Sequence, residues 1–279
     1  MTPRKSAPPT PTAPSKSVRS DDLRKQILAD FATLKVPLRE EAFDAVLAEA
    51  EREGCSHLVF LSRLIAEQAA QRRERGIAYR IREARFKEPK TLATFDWLFN
   101  AKSIDRSRVE ELATGEFIRR HQNWILAGQS GLGKSHLVQA VAHQACVLGY
   151  RVRYTTSAKL LEELLASLAD QTLPDCLRMY ASFDLLVIDE FGFDRIERQE
   201  SPQAASLLYK VVDARHQSRS TALVTNIDFA AWGEYLGDSH LAMALTDRMV
   251  DGAIIMKFAG KSYRAHRAQT AKPPATDAQ

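Results

Sequence analysis

Eight consecutive residues, Gly128-Gln129-Ser130-Gly131-Leu132-Gly133-Lys134-Ser135, satisfy the spacing G-x4-G-K-[ST] without a gap. Glycine lets backbone N–H groups curl around an anion, and a helix starting at the end of the loop adds the positive end of its dipole. In such a loop Lys134 reaches the β- and γ-phosphates of a nucleotide and the Ser135 hydroxyl ligates Mg²⁺. His136, the next residue, reads as a helix residue at the phosphate loop rather than as a catalytic base. About fifty residues on, the apolar run Leu185-Leu186-Val187-Ile188 ends in Asp189-Glu190. An acid at the carboxyl end of a strand sits where phosphates and Mg²⁺ gather, so Asp189 is a metal-site residue. Glu190 beside it can polarise an attacking water. Paired acids at this point favour hydrolysis over transfer to a small acceptor. Thr225-Asn226 ends the next apolar run, and Asn226 there could touch the γ-phosphate or the water. Arg248 stands near the end of a helical stretch, Leu241–Met249; a guanidinium suits the spread charge of phosphoryl transfer and is often supplied by a neighbouring subunit.

These residues need a frame. β-rich or apolar runs at Trp124–Ala127, Val152–Thr155, Leu185–Ile188, Ala222–Thr225 and Ala253–Met256 alternate with helical patterns at Ser135–Val147, Ala158–Leu168 and Ala204–Ala214. Strand–helix alternation predicts an α/β domain over about 95–267, a parallel sheet flanked by helices. Ahead of it the period is helical. Leu23, Ile27, Leu28, Phe31 and Leu34 share one face before Pro37; Phe43, Val46, Leu47 and Ala50 mark a second helix ended by Gly54. Ser56 is the expected N-cap of a third, carrying Leu58, Leu61, Leu64 and Ile65 into an Arg-rich stretch. The organisation expected is a disordered tail at 1–20, a small all-helical N-terminal domain at 21–90, an ATPase-type domain at 91–267 whose first thirty residues are linker, and a second disordered tail at 268–279.

Composition sets limits on class. With 45% hydrophobic and 27% charged residues the chain reads as an ordinary globular protein. No apolar run reaches the roughly 18 residues of a membrane span, and no apolar signal segment opens the chain, so no membrane partner is expected. Cys55, Cys146 and Cys176 form no metal-ligand spacing, which points to a reduced, cytoplasmic setting. The net charge of +4 conceals basic ends: residues 1–94 carry 18 Lys/Arg against 13 Asp/Glu. Flanks of that sign suit a polyanion.

Taken together, the chain resembles the AAA+ ATPases, in the branch of DnaA, the helicase loader DnaC and IstB, and within it the IstB-like helper ATPases of insertion sequences. The resemblance runs over about 21–265. It rests on Glu51-Arg52-Glu53-Gly54, Ala84-Arg85-Phe86-Lys87, Lys90-Thr91-Leu92, Phe95-Asp96, the phosphate loop, Asp189-Glu190-Phe191-Gly192, Thr225-Asn226, Asp247-Arg248-Met249 and Gly260-Lys261-Ser262-Tyr263-Arg264. It implies ATP as the nucleotide, Asn226 as sensor 1, Arg248 as an arginine finger at a subunit boundary, and ATP-dependent homo-oligomers on DNA that remodel the target and recruit or stimulate a transposase. The chain departs from larger AAA+ proteins in having too few residues after the last strand for a helical lid. Gln129-Ser130 inside the loop is unusual but touches no phosphate-binding glycine or lysine.

Double-stranded DNA is the expected partner of the basic helix bearing Arg72, Arg73, Arg75, Arg80, Arg82 and Arg85, with Lys261, Arg264 and Arg267 as further candidates. No base reader or interleaved aromatic stands out, so sequence-tolerant duplex binding is expected. Three alternatives stay open at this level: a DnaC-like helicase loader, a small-molecule kinase of the same loop type, and a nucleotide-bound scaffold with negligible turnover.

Overall fold

Five strands, β1 (Trp124–Gly128), β2 (Val152–Thr156), β3 (Leu185–Phe191), β4 (Ser220–Thr225) and β5 (Ile254–Phe258), pair in parallel in the order β2-β3-β4-β1-β5. The structure is a computed structural model that describes residues 20–36, 38–193 and 203–270. The central strands are apolar without alternation because both faces are covered. Trp124, Leu126, Leu185, Val187, Ala222 and Val224 join the core on one face; Ile125, Leu186, Ile188 and Leu223 join the other. The first face is closed by Leu137, Val138, Val141 and Ala145 of the helix after β1, Lys134–Leu148. The second is closed by helices at Ser157–Ala169, Leu173–Ala181, Ala204–Arg215, Trp232–Leu236 and Ser239–Val250.

In chain order the helices are α1 (Ser20–Thr33), α2 (Glu40–Glu53), α3 (His57–Ala84), α4 (Arg106–Ala113), α5 (Glu116–Arg119), α6 (Lys134–Leu148), α7 (Ser157–Ala169), α8 (Leu173–Ala181), α9 (Ala204–Arg215), α10 (Trp232–Leu236), α11 (Ser239–Val250) and α12 (Tyr263–Thr270). The chain divides into two compact units, up to Glu74 and from Arg75. In the first, Gly54 ends α2 in the left-handed conformation (φ 59°), and the Ser56 hydroxyl accepts from Val59 N at 3.4 Å as α3 begins. Phe43 meets Phe60 edge-on at 6.4 Å, whereas Leu58, Leu61 and Ile65 of the predicted apolar face are exposed.

The stretch read as linker contributes to the second unit's core. Val109 and Leu112 of α4 and Phe117 and Ile118 of α5 are buried against the β1–α6 face. A charged, short-helix sequence such as Arg106–Ala113 hides this because only two of its eight residues face inward. Ala84, the last residue of α3, is fully buried in the same core. The expected tails lie outside the described residues, apart from Ser20, which starts α1, and Ala268–Thr270, which finish α12; Pro37 also lies outside them. Among the described residues, no helix is long and apolar enough to cross a membrane.

Sheet order dictates where a ligand can sit. The crossover through α6 carries the chain from β1 past β4 and β3 to the edge strand β2, and the connection after β4 passes β1 to β5. Such reversals open a crevice at the carboxyl ends of the strands, which here bear Gly128, Asp189 and Thr225.

Candidate functional site

The loop after β1 holds its shape through close backbone approach. Gly128 (φ 147°) lies so near β5 that a Cβ would stand 2.3 Å from the Phe258 carbonyl oxygen. Gly131 (φ 82°) leaves no room either: a Cβ would meet Ser262 Oγ at 2.2 Å, and Gly131 O accepts from Tyr263 N at 2.8 Å. The terminal Gly-Lys-Ser-Tyr-Arg stretch therefore lies against the loop. Asn100 fixes it there, donating to Lys261 O at 2.8 Å and accepting from Lys261 N at 3.1 Å. Gly133 caps the start of α6, whose 15 residues direct their positive end at the loop.

Lys134 curls back over this loop. Its ammonium donates to Gly128 O at 2.6 Å and Gln129 O at 2.7 Å. Burial pushes its pKa down to about 8; the Asp189 carboxylate opposes the shift and the Arg264 charge adds to it. Arg264 is thus an electrostatic neighbour of Lys134 as well as an exposed basic residue. Gln129 and Ser130 are both exposed, and Leu132 is buried under the loop.

Asp189 is 1% exposed, and each acceptor is used. Ser135 Oγ donates to Oδ1 at 3.1 Å, Glu190 N to Oδ1 at 2.8 Å, and Tyr154 Oη to Oδ2 at 2.6 Å. Burial and this carboxylate raise the Tyr154 phenol well above its ordinary value, so it remains a donor. The β3–β4 register shifts between Ile188 and Phe191, a bulge that includes the two acids. Within it Glu190 takes φ 63°, a conformation that costs a non-glycine residue of order 1–3 kcal/mol. The bulge hides Asp189 in the crevice while presenting Glu190 at the surface, where its Oε1 accepts from Lys87 Nζ at 3.0 Å.

Asn226 follows β4 beside this bulge. Its Oδ1 is buried without a hydrogen-bond partner, and a Cβ on Gly192 would lie 2.8 Å from it. A buried, unpaired acceptor is a group with unused capacity for a ligand or water. His136 Nε2 lies 3.1 Å from Thr91 O and 3.3 Å from Thr94 Oγ1, and its ring meets Phe95 edge-on at 5.2 Å. Residues 91–95 thus lie against the start of α6. Burial holds the His136 pKa down.

Arg248 stands apart from these groups. Its backbone carbonyl accepts from Asn123 Nδ2 at 3.1 Å, just before β1, whereas the phosphate loop follows β1, about 13 Å farther along the strand. The guanidinium is paired with Asp213 at 3.0 Å and Asp247 at 2.9 Å. It lines an open cleft of about 980 Å³ with His216, Phe229, Met243 and Asp251, a cleft to which no residue of the phosphate loop belongs. Within one chain, then, Lys134, Ser135, Asp189 and Glu190 converge and Arg248 does not.

The basic residues also separate. Arg72 and Arg73 in the first unit and Arg75 in the second are exposed and, among the described residues, form no ion pair. Arg80 donates to Cys146 O at 2.8 Å, satisfying a carbonyl at the end of α6. Arg82 stacks over Tyr79 and lies 3.7 Å from Glu83; Arg85 lies 3.7 Å from Glu163. Sequence reasoning missed Tyr154 and Lys87. Tyr154 sits in a strand with no distinguishing spacing, and Lys87 is one cation in a basic run.

A family model described as IstB-like ATP binding protein matches residues 29–271. The chain is 32% identical over 232 residues to a Geobacillus stearothermophilus protein named for ATP binding in insertion sequence IS5376, covering 83% of this chain and 90% of that one. It is 33% identical over 221 residues to a Pseudomonas aeruginosa protein named likewise for insertion sequence IS21, covering 79% and 82%. Among solved structures it is similar to DnaI, with a TM-score of 0.50 at 19% identity over 62% of this chain and 96% of that one. That last likeness is one of fold, the parallel AAA+ sheet with flanking helices.

Proposed function

This chain belongs to the family of IstB-like ATP binding proteins, and we propose that it hydrolyses ATP to assemble on duplex DNA, remodel it, and recruit or stimulate a partner transposase. One observation carries the hydrolytic part: the Ser135 hydroxyl meets the buried Asp189 carboxylate at 3.1 Å, and the next residue, Glu190, stands at the surface of the same crevice. A hydroxyl and a carboxylate at a helix N-terminus are oxygen donors of the kind Mg²⁺ takes, so Ser135 and Asp189 fit as its ligands. When bound there, the ion neutralises charge on the β- and γ-phosphates.

The chain's own groups do the rest. Backbone N–H groups of Gly128–Ser135 and the Lys134 ammonium bind the phosphates. Glu190 accepts a proton from a water whose oxygen attacks the γ-phosphorus. The bond from that phosphorus to the bridging oxygen breaks, ADP leaves, and phosphate is released. Asn226 offers its unpaired Oδ1 to the water's second proton. Arg248, remote from its own loop, serves the γ-phosphate of a neighbouring copy, which makes hydrolysis depend on assembly. Arg72, Arg73 and Arg75 contact DNA phosphates.

The test is phosphate release by the purified chain with ATP, Mg²⁺ and duplex. The rate is expected to rise several-fold with duplex. If the three free arginines each neutralise one phosphate, duplex affinity should fall roughly 40-fold between 50 and 200 mM salt. A chain that binds ATP yet releases no phosphate with any duplex overturns the proposal.

Lys134 adds a pH signature. Below about pH 8 its ammonium is present with or without nucleotide, and affinity should be flat. Above that pH the free chain loses the proton while bound phosphates demand it. ATP affinity should therefore fall by up to about tenfold per pH unit. Calorimetry in buffers of different ionisation enthalpy would show proton uptake on binding at pH 8.5 and none at pH 6.5; equal uptake at both would remove Lys134 from the phosphate contact.

A further inference from the structure

The chain leaves α3 through three residues that each contact the elements around β2 and β3. Arg85 turns the backbone with φ 58°, an uncommon conformation for a residue of its size, and pairs with Glu163 of α7 at 3.7 Å. Phe86 packs its ring against Tyr154 and His143, each at 6.2 Å. Lys87 donates from Nζ to Glu190 Oε1 at 3.0 Å. Neighbouring residues thus touch the two halves of the acidic pair: Phe86 the tyrosine whose hydroxyl holds Asp189 at 2.6 Å, and Lys87 the Glu190 carboxylate itself. Upstream, on the same helix and in the same compact unit, lie Arg75, Arg80 and Arg82.

We propose that Arg85–Lys87 is a latch that restrains hydrolysis until a polyanion, the phosphate backbone of duplex DNA, draws Lys87 away from Glu190. The inference rests on Glu190 acting as the base proposed above. With one oxygen accepting from an ammonium, the carboxylate is held toward Lys87 instead of being free to orient a water. The tie suits a switch. Both side chains are about half exposed (53% and 47%), so solvent screens the pair and it is weak enough to be exchanged. A DNA phosphate offers Lys87 the same charge-assisted bond without the cost of leaving it unpaired. The anchors just before it, Ala84 in the core and Phe86 on Tyr154, keep the backbone in place while the lysine side chain changes partner.

The experiment measures phosphate release with and without duplex for the full chain and for Lys87→Ala, Lys87→Arg and Glu190→Gln. Lys87→Ala is expected to raise the duplex-free rate by about threefold to fivefold, the scale of an exposed ion pair, and to shrink the stimulation by duplex by the same factor. Lys87→Arg keeps the pair and should retain the low duplex-free rate and the full stimulation. If Lys87→Ala changes neither rate while Glu190→Gln is inactive, the latch is wrong and the hydrolytic role of Glu190 stands. If Glu190→Gln turns over normally, the base assignment fails and the latch goes with it.

Discussion

Lys134→Ala is expected to lower ATP affinity by about a thousandfold while leaving the fold intact. A lysine bridging the β- and γ-phosphates makes two charge-assisted hydrogen bonds, each worth about 2 kcal/mol, and their loss together corresponds to roughly three decades in binding. Stability should move the other way. Burial has driven the Lys134 pKa down from 10.5 to about 8, so the folded chain binds that proton less well than the unfolded one. The unfolded state therefore holds more protons between about pH 8 and 10.5. Folding stability rises with pH across that window, and below it the buried charge is a standing penalty. Alanine removes the penalty and leaves only the Gly128 and Gln129 carbonyls short of a donor. Equilibrium nucleotide binding and a denaturation midpoint read the two effects separately. Unaltered ATP affinity in a well-folded variant would dissociate this loop from the phosphates. Nucleotide-dependent assembly, followed by sedimentation, should disappear with the affinity.

Glu190→Gln should lower turnover by 10²- to 10⁴-fold with ATP affinity nearly unchanged, the range expected when a general base is removed. Glutamine preserves the shape of the side chain and the backbone N–H that donates to Asp189 at 2.8 Å, so the bulge that positions the residue survives. It cannot accept the water's proton. A chain that binds ATP without consuming it should stay in the ATP-bound assembly, and the duplex complex should dissociate more slowly by the same cause. Single-turnover phosphate release and the lifetime of the duplex complex are the two measurements. Hydrolysis at the ordinary rate would return the proton to some other acceptor. Because the same variant loses the ammonium–carboxylate attraction to Lys87, slow turnover cannot be ascribed to a tighter latch.

Much of this was legible in the one-dimensional text. The loop Gly128–Ser135, the five strands within one or two residues at most ends, and the helix-stop at Gly54 all follow from local rules: glycine where backbone must approach, apolar runs where both faces are covered, a small polar residue where a helix begins. The acidic pair after Ile188 was visible as well. Its geometry was not. That Asp189 points into the crevice and Glu190 outward depends on a register shift against β4, and nothing in Leu185–Phe191 alone announces a bulge. Residues 91–120 carry more of the core than a linker does, for a related reason. Their apolar residues are as frequent as elsewhere but follow no sustained strand or helix period, and only the fold shows that Phe95 packs on His136 and Phe117 lies under Trp124. Arg80 shows the same limit from the other side: in a basic run it looks like its neighbours, and only the end of α6 reveals the carbonyl it satisfies.

By itself the sequence determined which residues could bind a triphosphate, which acids stood ready beside it, and that a parallel sheet had to carry them, because those properties depend on residue type and on spacing along a single element. Tertiary structure decided what those residues touch. It set Tyr154 and Ser135 on Asp189, Lys87 on Glu190, the Ser262–Arg264 turn against the loop, and Arg248 at the opposite end of β1. Such contacts join residues between 35 and 132 positions apart in the chain. They form only when the whole core has fixed strand order and register, and a short-range pattern carries no record of that closure.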